Sequence, residues 1–145
     1  MSLGLDLCTD IARSPAEVWA AIEPIETHVE WMADAERITF RSAQHTGVGT
    51  EFECLTKVGL LRTTDVMTVT EWEPGQTMGI EHRGVVTGTG RFTLTATGSG
   101  TRFCWRETLR FPWWMGGPAG EFAARGLLGR VWRGNLERLR ALIER

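Results

Sequence analysis

The chain runs through two hydrophobic periods, and each change of period marks the end of an element. Residues 3–12 read as a first strand, which stops at "SPAE". There Ser14 can cap a helix, Pro15 occupies the first turn at no hydrogen-bond cost, and Glu17 follows three residues after the cap. Val18, Trp19 and Ile22 form the inward stripe of a short helix, and Pro24 stops it. A second short helix over "IETHVEWM" follows at once.

From about residue 36 to residue 111 the period is two, interrupted by "HTGVG", "VGLL", "EPGQ", "GVVTG" and "TGSG". Six strands joined by short turns make an antiparallel meander. In "EFECLTKV" the alternation is clean, with Phe52, Cys54, Thr56 and Val58 on one face and Glu51, Glu53 and Lys57 on the other, so the sheet has one wet face. The strand "TDVMTVTEW" supports two phases: Met67, Val69 and Glu71 compete with Val66, Thr68, Thr70 and Trp72, and its orientation stays open. The last strand places Phe103, Trp105, Glu107, Leu109 and Phe111 in one row, and Arg102, Cys104, Arg106, Thr108 and Arg110 in the other. Glu107 therefore interrupts a core row, where an ionised carboxylate without a partner costs several kcal/mol or more.

After "WWMGG" the period returns to 3.6 and predicts a helix from near Pro118 to about Ile143. Around Trp132 its buried stripe takes in Leu128, Leu136, Leu139 and Ile143. Extended backwards, the same stripe reaches Arg125 and Glu121, an ionic pair at i, i+4 flanked by Phe122 and Gly129.

A length of 145 residues with 42% hydrophobic content suits one domain over residues 1–145, an α+β fold with a helix on one face of a meander. A net charge of -2 with no basic run gives no electrostatic footprint for nucleic acid or an anionic membrane. No apolar stretch approaches the ~20 residues of a membrane span, and the first residues lack a basic start followed by an apolar run. A cytoplasmic location without integral membrane contact is the expectation. Cys8, Cys54 and Cys104 are odd in number and far apart, with no C-x-x-C spacing. Neither a disulfide framework nor a zinc site is indicated, and all three read as small strand side chains. No G-x-S-x-G, P-loop, G-x-G-x-x-G or H-E-x-x-H occurs, and no cofactor or metal is expected. The glycine-rich "GTGRFTLTATGSGTRF" begins no helix, so it is hairpin chemistry rather than a phosphate cradle.

The order of elements, together with "IARSPAEVWAAI", "GVGTEF", "VTEWEPGQTM" and "GTRFCWRETLRFP", resembles the START-like (SRPBCC) superfamily, specifically its polyketide cyclase/dehydrase group. The resemblance covers essentially the whole chain and implies a helix-grip fold. In that fold a seven-stranded antiparallel curved sheet wraps around a long C-terminal helix, with two short helices between strands 1 and 2. It also implies an elongated cavity between sheet and helix that holds a hydrophobic or aromatic small molecule.

On the pleats assigned above, such a cavity would be lined by Phe40, Phe52, Cys54, Thr56, Met78, Ile80, His82, Phe92, Leu94, Trp105, Glu107 and Leu109, with Phe122 and Arg125 from the helix. The resemblance places Trp31 and Met32 at its mouth. Three readings of Glu107 stand: an ion pair with Arg125 or with an arginine near a strand end, a role in binding or proton transfer, or outward placement by a β-bulge. His82 is either a satisfied core histidine or a functional donor or base. His28 and His45 are expected to be solvated or capping. Trp113, Trp114 and Met115, if exposed, suggest a ligand gate or a homodimer contact; if buried, they plug the sheet.

Three functions follow. The first is binding or transport of a polyketide-like, aromatic or lipid-like molecule. The second is a cyclase, aromatase or dehydratase in which Glu107 and His82 move protons and Arg125 polarises a carbonyl or holds a carboxylate. The third is a protein-interaction domain.

Overall fold

A computed structural model of the chain describes residues 2–145. Seven antiparallel strands form one sheet in the order β1-β7-β6-β5-β4-β3-β2. These are β1 (Ser2–Ile11), β2 (Ala35–Phe40), β3 (Glu51–Val58), β4 (Leu61–Glu73), β5 (Thr77–Arg83), β6 (Thr87–Thr97) and β7 (Gly100–Arg110). Strands β2 to β7 are the predicted meander, and β1 joins it at the far edge by pairing with β7, Leu3 opposite Leu109 and Ile11 opposite Thr101.

Helix α1 (Pro15–Ile22) begins where the capping residues put it, with Ser14 Oγ accepting from the Glu17 amide at 3.2 Å. It buries Val18, Trp19 and Ile22. The second short helix is a 3₁₀ segment, Ile25–Glu30. Helix α2 (Gly117–Glu144) lies on the inner face and packs against β1. Its buried ridge of Trp132, Leu136 and Leu139 is the predicted stripe, and Trp132 stacks on Trp105 of β7 with ring centroids 4.8 Å apart. A polar clasp fixes the helix at this height. Asp34, just ahead of β2, accepts from Trp132 Nε1 at 3.1 Å and from Asn135 Nδ2 at 2.8 Å, and Asn135 Oδ1 in turn accepts from the Ala33 amide. A fully buried asparagine is tolerated there because both ends of its amide are bonded. Among the described residues, no helix is long and apolar enough to cross a membrane.

Strand β4 explains why its sequence supported two phases. Its register shifts between Val69 and Glu71, where one strand carries an extra residue. Before that bulge Asp65, Met67 and Val69 are buried on the inner face. After it the parity inverts, and Trp72 turns to meet Trp19 edge-on at 5.3 Å. Each phase is right for one half of the strand.

The outer face carries cross-strand ion pairs, Asp6 with Arg106 and Asp10 with Arg102 among them. It also carries a correction. Cys8 and Cys104, read as unpaired, stand directly opposite each other in the β1–β7 register and form a disulfide, leaving Cys54 as the free, buried thiol. Their separation of 96 residues conceals the pairing in sequence, because nothing local shows that the first and last strands are neighbours. Protein denatured without reductant is expected to titrate one thiol, rising to three after reduction. Three thiols at the outset in protein prepared under oxidising conditions would refute the bridge.

Candidate functional site

Between the inner face of the sheet and α2 lies a cavity of about 300 Å³. Its walls are Phe52, Met67, Met78, Ile80, Phe92, Trp105 and Leu109 from the strands, and Ala124, Leu127, Leu128 and Trp132 from the helix. Leu61 and Leu127 border the cavity and are also about half exposed, so the mouth lies between the β3–β4 turn and the overhanging start of α2.

Glu107 is on this wall, 5% exposed, and its partner is His82. Glu107 Oε2 lies 2.9 Å from His82 Nε2, while Oε1 accepts from the indole of Trp105 at 2.9 Å. The two residues belong to β7 and β5, with β6 between them. Gly90 of β6 is what lets them meet. It pairs with Glu107 in the register, and a Cβ there would collide with the Glu107 carboxylate, so the side chain lies across the bare backbone toward β5. Burial is the largest single influence on the His82 imidazole and pushes its pKa down. The charge of Glu107, their hydrogen bond and the charge of Asp65 together outweigh it, and His82 keeps its proton to higher pH than an ordinary histidine.

Further polar groups border the cavity and escaped sequence reasoning, Asp65 and His28 among them. Asp65 is 6% exposed, and burial pushes its carboxyl upward against the opposing pull of His82 and Thr63. His28, expected to be solvated or capping, is buried and donates Nε2–H to the carbonyl of Ile22 at 2.7 Å. Burial pushes its pKa down to about 4. The available signal was a 3₁₀ period, in which residues three apart eclipse: Ile25, His28 and Trp31 share one buried face. Cys54 is pushed up to about 11, chiefly by burial, so it remains a thiol near neutrality rather than a nucleophile. Among the described residues, no group of three or more His, Cys, Asp or Glu is placed to hold a metal ion.

Of the candidate lining residues, Phe52, Cys54, Thr56, Met78, Ile80, His82, Phe92, Trp105, Glu107 and Leu109 border the cavity. Five do not. Trp31 is packed into an aromatic cluster with Phe92, Phe103 and Trp105, and it is Met32 beside it that reaches the cavity. Leu94 is buried in the core away from the cavity, and Phe40, on the edge strand β2, stacks on the exposed His45 at 3.9 Å. Phe122 is 80% exposed and Arg125 is exposed, and no ion pair joins Arg125 to Glu107 or Glu121 among the described residues. Extrapolating the stripe backwards from Trp132 assumed that the sheet continues beneath α2. It does not: the first turns overhang the mouth and are wet on most sides. Trp113 and Trp114, at 86% and 62% exposed, lie outside the cavity, while the flanking Phe111 and Met115 border it.

A family model described as "Polyketide cyclase / dehydrase and lipid transport" matches residues 7–144. Among solved structures, the Zhui aromatase/cyclase from Streptomyces sp. R1128 superposes with a TM-score of 0.82 at 12% identity, covering 100% of this chain and 95% of that one. The di-domain ARO/CYC StfQ from the steffimycin biosynthetic pathway gives 0.80 at 15% identity; this chain, 99% covered, spans about half (51%) of its length. A START superfamily protein from Mycobacterium smegmatis gives 0.79 at 10% identity, with 97% of each chain covered. No curated protein matches the chain by sequence. Likeness at these identities establishes the helix-grip fold.

Proposed function

Because the chain belongs to the polyketide cyclase/dehydrase and lipid transport family of the START-like superfamily, we propose that it binds or carries a flat hydrophobic molecule, polyketide-like, aromatic or lipid-like, beneath α2. The observation that carries this reading is the open cavity of about 300 Å³, walled mostly by aliphatic and aromatic side chains, with a minority of polar groups that includes His28, Asp34, Asp65, His82 and Glu107. Such a volume takes a small ring system rather than a long acyl chain. Native mass spectrometry and thermal shift against a panel of bicyclic and tricyclic aromatics test it. Failure of every apolar compound to bind or raise the melting temperature would defeat it.

A second reading, catalysis, rests on the buried His82–Glu107 pair. An imidazole that gives and takes a proton beside a carboxylate can move protons between keto and enol forms, as aldol closure and dehydration require. Arg125 is exposed and does not border the cavity, so this reading does not use it. Gly90→Ala separates the two groups while leaving both in place, because the new methyl would displace the flexible end of Glu107. If the pair is catalytic, Gly90→Ala, Glu107→Gln and His82→Ala should each lower turnover at least about 100-fold with affinity kept, within the usual range for acid–base groups. Full turnover in all three would remove the assignment.

A further inference from the structure

Seven of the eight large apolar side chains exposed among the described residues belong to segments at the cavity mouth. Antiparallel pairing explains why they gather. Val58 pairs with Leu61, Val66 with Arg83 and Thr87 with Arg110, so the β3–β4 turn, the β5–β6 turn and the end of β7 share one end of the sheet. Leu60 in the first turn is fully exposed, and Val85 in the second is about half exposed. Trp113 and Trp114 follow β7 directly, and Phe122 stands bare on the overhanging start of α2. Leu61 and Leu127 belong both to this patch and to the cavity wall, so the apolar lining continues to the outside. A cluster of this kind marks an interaction site.

Charge narrows what covers it. Residues 57–62, 83–87 and 110–127, which carry the patch, contain Lys57, Arg62, Arg83, Arg110 and Arg125 against Glu121 alone, in a chain whose net charge is -2. Arg62 is offset by Glu36 and Arg83 by Glu51. Lys57, Arg110 and Arg125 are exposed and make no ion pair among the described residues. These cations form no basic run in sequence; the fold assembles them around the mouth. A second copy seated face to face would set each cation against the same cationic patch. An anionic bilayer suits both features, since its headgroups meet the cations, its interface takes indole rings, and its acyl boundary takes the apolar side chains.

We propose that the mouth end docks peripherally on an anionic lipid bilayer, with Leu60, Trp113, Trp114 and Phe122 entering the interface, and that the apolar guest passes between bilayer and cavity through this contact. The docking stands on the patch itself. The passage of a guest rests on the binding function proposed above and names the source from which the cavity is filled.

Flotation of the full chain with vesicles of phosphatidylcholine, alone or with about one quarter phosphatidylglycerol, tests it. The wild-type chain is expected to bind the anionic vesicles at least about tenfold more tightly than the neutral ones, and high salt should erase the difference. Lys57→Glu and Arg125→Glu should each weaken anionic binding at least about fivefold. The double variant Trp113→Ser, Trp114→Ser should weaken binding to both vesicles at least about tenfold. All four positions are exposed, so the melting temperature should hold. Absence of wild-type binding to either vesicle overturns the proposal. So does anionic binding that survives in every variant, which places the contact elsewhere. Light scattering that shows a dimer abolished by the tryptophan variant, without vesicle binding, assigns the patch to a second copy and overturns it too. A chain that takes up aromatic compounds in native mass spectrometry but ignores vesicles loses the docking and keeps the cavity function; one that docks but takes up no aromatic compound loses the cavity function and the passage with it.

Discussion

Glu107→Ala is expected to destabilise the protein by about 3–5 kcal/mol, the usual cost of removing one member of a buried ion pair. Two donors, His82 Nε2 and Trp105 Nε1, lose their acceptor in one step. Glu107→Gln should cost about 1–2 kcal/mol, since an amide oxygen can still accept a hydrogen bond. The two variants also differ from wild type in pH dependence. The folded-state pKa of His82 is raised, so the stability it contributes is fully present below its unfolded value near 6.5 and is lost as pH rises through the folded value. The wild-type advantage over Glu107→Gln should therefore be greatest near pH 6 and shrink toward pH 9. Urea unfolding across that interval measures it. A Glu107→Ala protein as stable as wild type would mean that the pair is not formed in solution.

His28 is expected to act at the other end of the pH scale. Its pKa falls from 6.5 to about 4 because burial excludes the charged ring, so the unfolded chain binds the proton more readily than the folded one. Stability should drop as pH falls from about 6.5 and level off below about 4. A shift of this size corresponds to about 3 kcal/mol. His28→Leu should lose a constant ~1 kcal/mol for the bond to Ile22 and show a flatter profile over that range. If His28→Leu retained the full acid slope, the carboxylates rather than this ring would control acid unfolding.

The candidate site was legible to the extent that it obeyed strand parity. Glu107 drew attention because it broke an apolar row, and His82 because it shared a parity with Met78 and Ile80. Their meeting was not legible. It depends on β6 presenting a glycine at the crossing point, and Gly90 in sequence is one member of an ordinary glycine-rich hairpin. Asp65 was hidden for a different reason: a bulge changes parity without leaving a composition signal, so the row containing Asp65 could not be distinguished from its neighbour. Arg125 was overread, because helical periodicity records which residues share a face and not how far the opposing sheet extends.

Periods of two and 3.6, the Ser14 cap and the glycine turns are local quantities, set by residues within a few positions of one another. They determined the elements, their order and the wet and dry faces of the sheet; the helix-grip arrangement itself was implied by the resemblance to the START-like superfamily. Partners are non-local. The Cys8–Cys104 bridge, the Asp34–Asn135 clasp and the acid–imidazole pair each join residues 25 or more positions apart. Only the assembled sheet, with α2 on its inner face, brought them within bonding distance.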